Sequence, residues 1–166
     1  MAQKEQQLFQ LLKEDHRKVE QMMKQIERGS QKQWEEQFVG LRDALQEHFQ
    51  IEEKYFYPKL QEIDEMEELI GDALEEHQEA KDFLAQLEDI EDREEWQETF
   101  QEMQKGIHHH IRDEEKKIFP KCTQVLSEQQ LKQIGEQCAQ AKGKARPTQA
   151  RAAKGAKKPA RKQVQV

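Results

Sequence analysis

Apolar residues return every three to four positions through four long stretches of the chain, the spacing of helices that bury one face. The first stretch, Lys4 to Arg28, puts Leu8, Leu12, Val19, Met23 and Ile26 on one stripe, with His16 filling the gap between Leu12 and Val19. The second, Lys32 to Tyr57, aligns Phe38, Leu41, Leu45, His48, Glu52 and Tyr55, and Pro58 is expected to stop or kink it. The third, Met66 to Leu87, aligns Ile70, Leu74, His77, Lys81, Leu84 and Leu87. The fourth, Arg93 to Phe119, aligns Phe100, Met103, Ile107, His110, Glu114 and Ile118. Gly29 closes the first helix and Ser30 can cap the second. Ser127 with Gln130 has the form of a capping box for a short fifth helix ending near Ala139. Short connections favour antiparallel neighbours, so the pattern predicts an all-α, up-down-up-down four-helix bundle over residues 1–140.

Two parts of this pattern are copies. Trp34, Phe38, His48, Glu52, Glu53, Lys54, Pro58 and Lys59 recur 62 positions later as Trp96, Phe100, His110, Glu114, Glu115, Lys116, Pro120 and Lys121. His16 and His77 lie 61 positions apart, each one helix upstream of its copy. What makes these residues informative is their phase. Positions four apart on a helix share a face, so His48 with Glu52, and His110 with Glu114, stand where a core leucine belongs. A buried carboxylate is costly unless paired or bound to a cation. One such pair is common on solvated helix faces. Two in matched register, joined by two in-phase histidines, point to a dinuclear metal site built from His16, His48, Glu52, His77, His110 and Glu114. Two six-coordinate ions need about twelve ligand positions. Four imidazoles, two bridging carboxylates and a bridging oxide or hydroxide fill about ten of those. The open remainder marks a reactive site rather than a closed structural one.

Other polar residues fit the stripe less well. His109 and His108 lie about 100° and about 200° around the helix from His110, so only His110 of the three is expected to ligate. Glu53 and Glu115 sit about 100° off the stripe and read as solvated or supporting groups. Glu20, in phase with His16, is a candidate spare ligand, and Tyr55, one turn after Glu52, a candidate radical or proton partner.

Composition then narrows the setting. With four Pro, seven Gly and abundant Glu, Gln, Lys and Leu, the chain favours helix. No stretch approaches a membrane span, and the first residues lack the apolar segment of a secretory signal. Cys122 and Cys138 read as reduced structural or surface thiols, which with the lack of a signal suggests a cytoplasmic protein. The first 140 residues carry a formal charge of −16, which disfavours nucleic acid. From Ala141 to Val166 there are nine Lys or Arg and no acid, and no large apolar residue before Val164. Residues 141–166 therefore read as a disordered basic tail, suited either to non-specific phosphate contact with nucleic acid or to shielding its own acidic core.

At its metal-binding residues the chain resembles the hemerythrin-like, or HHE cation-binding, family. The likeness is carried by E-D-H ending at His16, H-F-Q-I-E-E-K-Y-F-Y-P from His48 to Pro58, E-E-H ending at His77, and H-I-R-D-E-E-K-K-I-F-P from His110 to Pro120. It implies a four-helix bundle with a non-haem di-iron centre: two iron ions, oxo- or hydroxo-bridged, on the six residues named above. Oxygen-carrying members add a second histidine one turn from that of the third helix, where this chain has Ala73 and Lys81. The four-His, two-Glu set is more similar to bacterial iron-centre repair and nitric-oxide-response members. The resemblance thus implies a protein that binds or senses O₂, NO or peroxide, or handles iron under oxidative stress. The alternatives are a di-iron oxidase, peroxidase or nitric oxide reductase, and an iron protein that associates with DNA through its tail.

Overall fold

In the computed structural model, which describes residues 5–143, helices follow one another throughout. They are α1 (Gln7–Arg28), α2 (Gln31–Ile51), a π-helical turn (Glu52–Phe56), α3 (Tyr57–Gln61), a 3₁₀ turn (Asp64–Met66), α4 (Glu67–Asp89), α5 (Arg93–Asp113), a second π-helical turn (Glu114–Ile118), α6 (Phe119–Val125) and α7 (Glu128–Ala141). Among the described residues there is no strand, and no helix is long and apolar enough to cross a membrane.

Neither Pro58 nor Pro120 ends its helix. Inside an α-helix a proline ring clashes with the carbonyl four residues back and leaves it without a donor. Here each proline follows a π turn. The Tyr57 N–H bonds to the Glu52 carbonyl, and the Phe119 N–H to the Glu114 carbonyl, five residues back in each case. The wider turn relieves the clash, and the helices continue to Gln61 and to Val125.

The apolar interior forms two clusters. One contains Leu8, Leu12, Ile51, Phe56, Leu60, Ile70, Ile118, Phe119, Leu131 and Ile134. The other contains Val19, Met23, Phe38, Leu45, Leu84, Phe100 and Ile107, with Trp34 and the repeat-related Trp96 stacked at 4.8 Å and 15°. Along α1 and α4 the chain passes from the first cluster to the second, and along α2 and α5, each with the π turn that follows it, the chain returns. Each of these helices carries its stripe histidine close to the passage from one cluster to the other. On α4 the buried face is Ile70, Ala73, His77, Ala80, Leu84 and Leu87. Leu74 and Lys81 lie at its margin rather than in it.

α7 crosses α1 at close range. A Cβ at Gly135 would sit 3.0 Å from the Leu8 backbone nitrogen, so glycine permits the approach. Ser127 caps the helix: its hydroxyl accepts the Gln130 N–H at 3.1 Å, and the Gln130 side chain accepts the Ser127 N–H at 2.8 Å. Beyond Ala141, Lys142 pairs with Asp15. Gly143, in the left-handed region at φ 83°, donates its N–H to the buried Glu47 at 2.8 Å. The folded segment thus runs through Gly143. Of the expected disordered tail, residues 141–166, the stretch 141–143 is ordered against the bundle, and 144–166 lie outside the described residues.

Shortening the chain tests this anchorage. Truncation after Ala141 leaves Asp15 and Glu47 without Lys142 and Gly143. An unsatisfied buried acceptor costs about 1–3 kcal/mol, so this form should melt several degrees below one truncated after Gly143, as read by circular dichroism.

Candidate metal centre

All six residues of the stripe set are buried, and Glu52 and Glu114 are fully enclosed. α1, α2, α4 and α5 each contribute one histidine, and each π turn begins with one glutamate. The histidine Nε2 atoms point inward. His16 Nε2 lies 3.0 Å from Glu114 Oε1, His48 Nε2 3.3 Å from Glu52 Oε1, and His77 Nε2 3.1 Å from both Glu52 Oε1 and His110 Nε2. The donor atoms form two groups, His16–His48–Glu52–Glu114 and Glu52–His77–His110. Within each group all atoms lie within 4.8 Å of one another, and Glu52 belongs to both.

The outer nitrogens are equally ordered. His16 Nδ1 meets Glu115 at 2.6 Å, His48 Nδ1 meets Asp15 at 3.0 Å, His77 Nδ1 meets Glu53 at 2.7 Å, and His110 Nδ1 meets Glu76 at 2.9 Å. A carboxylate at each Nδ1 makes that nitrogen the donor, which fixes the tautomer and turns the Nε2 lone pair toward the centre. Glu53 and Glu115, one residue past the two enclosed glutamates, are therefore supporting groups. Asp15 and Glu76 were not anticipated. Their signal was the acid directly before His16 and His77: one residue back is about 100° around the helix, which here faces the histidine of the next helix. Each supporting carboxylate has a further partner: Arg17 on Glu115, Lys142 on Asp15, Lys81 on Glu53 and His109 on Glu76. Lys81, one turn after His77, is thereby engaged outside the centre. Glu20 is no spare ligand in this arrangement. Its side chain pairs with Arg17 and His108, away from the centre.

The tyrosine at the centre is Tyr57 rather than the candidate Tyr55. Tyr55 is half-buried, with the Lys54 ammonium 5.5 Å from its ring centre. Tyr57 is buried, and its hydroxyl donates to Glu114, with Glu52 Oε1 at 3.2 Å and His77 Nε2 at 3.5 Å. The π turn explains the exchange. Closing the turn over five residues instead of four brings the fifth residue after Glu52 back over the same face. The repeat partner of Tyr57 is Phe119, whose ring lies parallel to that of His16 at 6.1 Å and offers no hydroxyl. The two halves of the site thus differ in one polar group.

The electrostatics show how strongly the site seeks positive charge. Burial alone would lower the pKa of His48, but Glu52 and Asp15 overcome it and hold it at about 10. His110 is also held at about 10, with Glu52, Glu76 and Glu114 outweighing its burial. Glu52 is itself well below the ordinary carboxylate range, because His48, His110 and His77 outweigh burial. Tyr57 is pushed well above its ordinary value by burial and by Glu114 and Glu52, so it keeps its proton. Burial pushes the Cys122 and Cys138 thiols up to about 12, so neither supplies a thiolate.

Protons do not satisfy this cage completely. His48 Nε2 and Glu52 Oε2 are buried without a hydrogen-bond partner, the former near Glu52 but outside bonding geometry. Imidazole lone pairs and carboxylates converging on one point, with two atoms orphaned, fit a cation. The family comparison agrees, since the profile described as Hemerythrin HHE cation binding domain matches residues 7–122. The chain belongs to the hemerythrin HHE cation-binding family. The match covers the four helices that carry the histidines and both π turns, so this HHE domain holds the whole candidate centre, while α7 lies beyond the match. Comparison with curated proteins and with solved structures gives no significant match.

The pKa directions set the pH response of the metal-free HHE domain. His48 and His110 have raised folded values, so their contribution is complete below the ordinary 6.5 and is lost as pH rises toward about 10. Glu52, Glu53 and Glu115 have lowered values, so theirs is present above the ordinary 4.5 and fades as pH falls. The thermal midpoint of chelator-treated protein should therefore peak between these two ordinary values. Metal-loaded protein should escape the alkaline decline, because a bound cation needs Nε2 deprotonated. Melting both forms across pH checks this.

Proposed function

We propose that this HHE domain is an up-down-up-down antiparallel four-helix bundle holding a non-haem di-iron centre, at which it binds or senses O₂, NO or peroxide. The observation that carries the reading is the pair of His/Glu groups sharing Glu52, with Glu114 facing it from the other half of the repeat. Alternation between the two apolar clusters along α1, α2, α4 and α5 supports the bundle topology. An all-imidazole and carboxylate donor set, with both thiols held neutral, suits iron.

A di-iron pair held here supplies a change of redox state and open positions for a small ligand. The chain's own residues do the rest. Asp15, Glu53, Glu76 and Glu115 orient the four imidazoles. Phe49, stacked on His77 at 4.1 Å, and Phe119, parallel to His16, wall the centre with apolar surface. Tyr57 keeps its proton and, among the described residues, is the hydroxyl donor beside Glu52 and Glu114, which suits holding a ligand that gains negative charge. The same tyrosine favours the second reading, an oxidase, peroxidase or nitric oxide reductase, in which it would deliver that proton.

Protein from iron-replete growth should carry two irons per chain and show near-ultraviolet oxo-bridge absorption that changes on dithionite reduction. One zinc and no iron at full occupancy would sink the proposal. Rapid mixing of reduced protein with O₂ and with peroxide separates the readings: a long-lived ligand band indicates binding, and sustained turnover indicates an enzyme.

Substitution gives an independent check. His48→Ala and His110→Ala should each remove most of the metal, whereas His108→Ala should not. Equal loss at His108 would show that the wrong face has been assigned.

A further inference from the structure

Outside the buried centre, three side chains converge at the surface between α4 and α5. His109 Nε2 lies 3.2 Å from Glu76 Oε2 and 3.2 Å from Asp113 Oδ2. One donor atom from each residue lies within 4.8 Å of the other two. His109 and Asp113 are one turn apart on α5, and Glu76 reaches across from α4. We propose that Glu76, His109 and Asp113 form a second, surface site for a divalent transition-metal ion, from which ions enter the buried centre.

Two observations single out this corner. The first is the missing fixed cation. Of the four carboxylates that orient the buried histidines, Glu115 has Arg17, Asp15 has Lys142 and Glu53 has Lys81. Among the described residues, the ion pairs of Glu76 are with His109 and His110 only. Asp113 adds a second carboxylate beside it, balanced by Lys117 at 3.5 Å, whose side chain is 60% exposed. One imidazole and two carboxylates thus stand where the other corners have a lysine or arginine. The second observation is continuity. Glu76 turns Oε2 toward His109 and Oε1 toward His110 Nδ1 at 2.9 Å, so one carboxylate touches both the surface group and a buried histidine.

The chemistry fits a transient site. Imidazole with carboxylate oxygens takes zinc, ferrous and similar divalent ions. Three protein donors leave coordination positions to water, so an ion can exchange rather than remain fixed. The His109 side chain is 55% exposed, giving ions direct access from solvent. The surface site stands on its own geometry, and only its delivery role rests on the di-iron reading.

The test uses the full-length, iron-loaded protein with zinc as the probe. Calorimetric titration should find one zinc per chain in addition to the retained iron. His109→Lys supplies the fixed cation that the other three corners have while removing a ligand, so it should keep the iron and lose the zinc site. Asp113→Ala should weaken zinc by no less than the roughly tenfold that even outer-sphere partners carry, and His108→Ala should leave it unchanged. A His109→Lys titration identical to that of the unaltered protein overturns the site. Delivery is read separately, by ferrous uptake into chelator-stripped protein. Both His109→Lys and Asp113→Ala should slow the initial rate several-fold at unchanged final content, and unaltered rates overturn the delivery role. Protein that purifies without iron would count against the di-iron reading, while the His109-dependent zinc would still report on the surface site.

Discussion

Two fully enclosed carboxylates, Glu52 and Glu114, set the terms for the rest of this structure. They lie where the two apolar clusters meet, with no surface open to bulk solvent. An uncompensated carboxylate there would cost several kcal/mol, a large share of the stability of an ordinary domain. The four histidines around them are the response, and the four outer carboxylates are the response to the histidines. Carboxylate and partner alternate outward in this way until they reach Arg17, Lys81 and Lys142, and at the fourth corner the His109 imidazole, near solvent. The centre is therefore a set of radial chains rather than an isolated knot of ligands. Each chain crosses a helix–helix interface, so the same bonds that orient the imidazoles also pin the helices.

The two π turns tie backbone geometry to that electrostatic arrangement. Each begins at an enclosed glutamate and ends just before a proline. The proline makes a regular helix unfavourable, the wider turn accommodates it, and the fifth residue then returns to the glutamate's face. In the first half that residue is Tyr57, and in the second it is Phe119. A near-exact repeat at the level of ligands thus becomes unequal through one hydroxyl.

Much of this was legible in the sequence, for physical reasons that also mark its limits. The six stripe residues could be found because a polar side chain in the phase of a core leucine needs compensation. The 62-residue offset showed that the pattern was repeated. Pro58, expected to stop or kink its helix, does not stop it, because the rule that proline ends a helix assumes α geometry throughout. Tyr55, a candidate partner by α-helical phase, lies off the centre for the same reason: phase counted at 100° per residue fails across a π turn. On α4 the stripe was drawn through the bulkier Leu74 and Lys81, whereas small Ala73 and Ala80 face the interior and allow close packing. Asp15 and Glu76 escaped because their partners are on neighbouring helices, a relation that single-helix periodicity does not carry. Lys142 reads as tail by composition, although its ion pairs with Asp15 and Glu47 and its backbone bond to Cys138 hold it against the bundle.

The stacked pair Trp34 and Trp96 has an optical consequence. Both indoles lie in one apolar cluster, with Phe38 and Phe100 against Trp96, while the two tyrosines belong to the other. Tryptophan emission therefore reports on one end of the molecule, and the stacked rings share one local environment. Tyrosine absorption, by contrast, is sensitive to the end where Tyr57 meets the centre. The protein carries two separate intrinsic probes, one for each half of its interior, without any label.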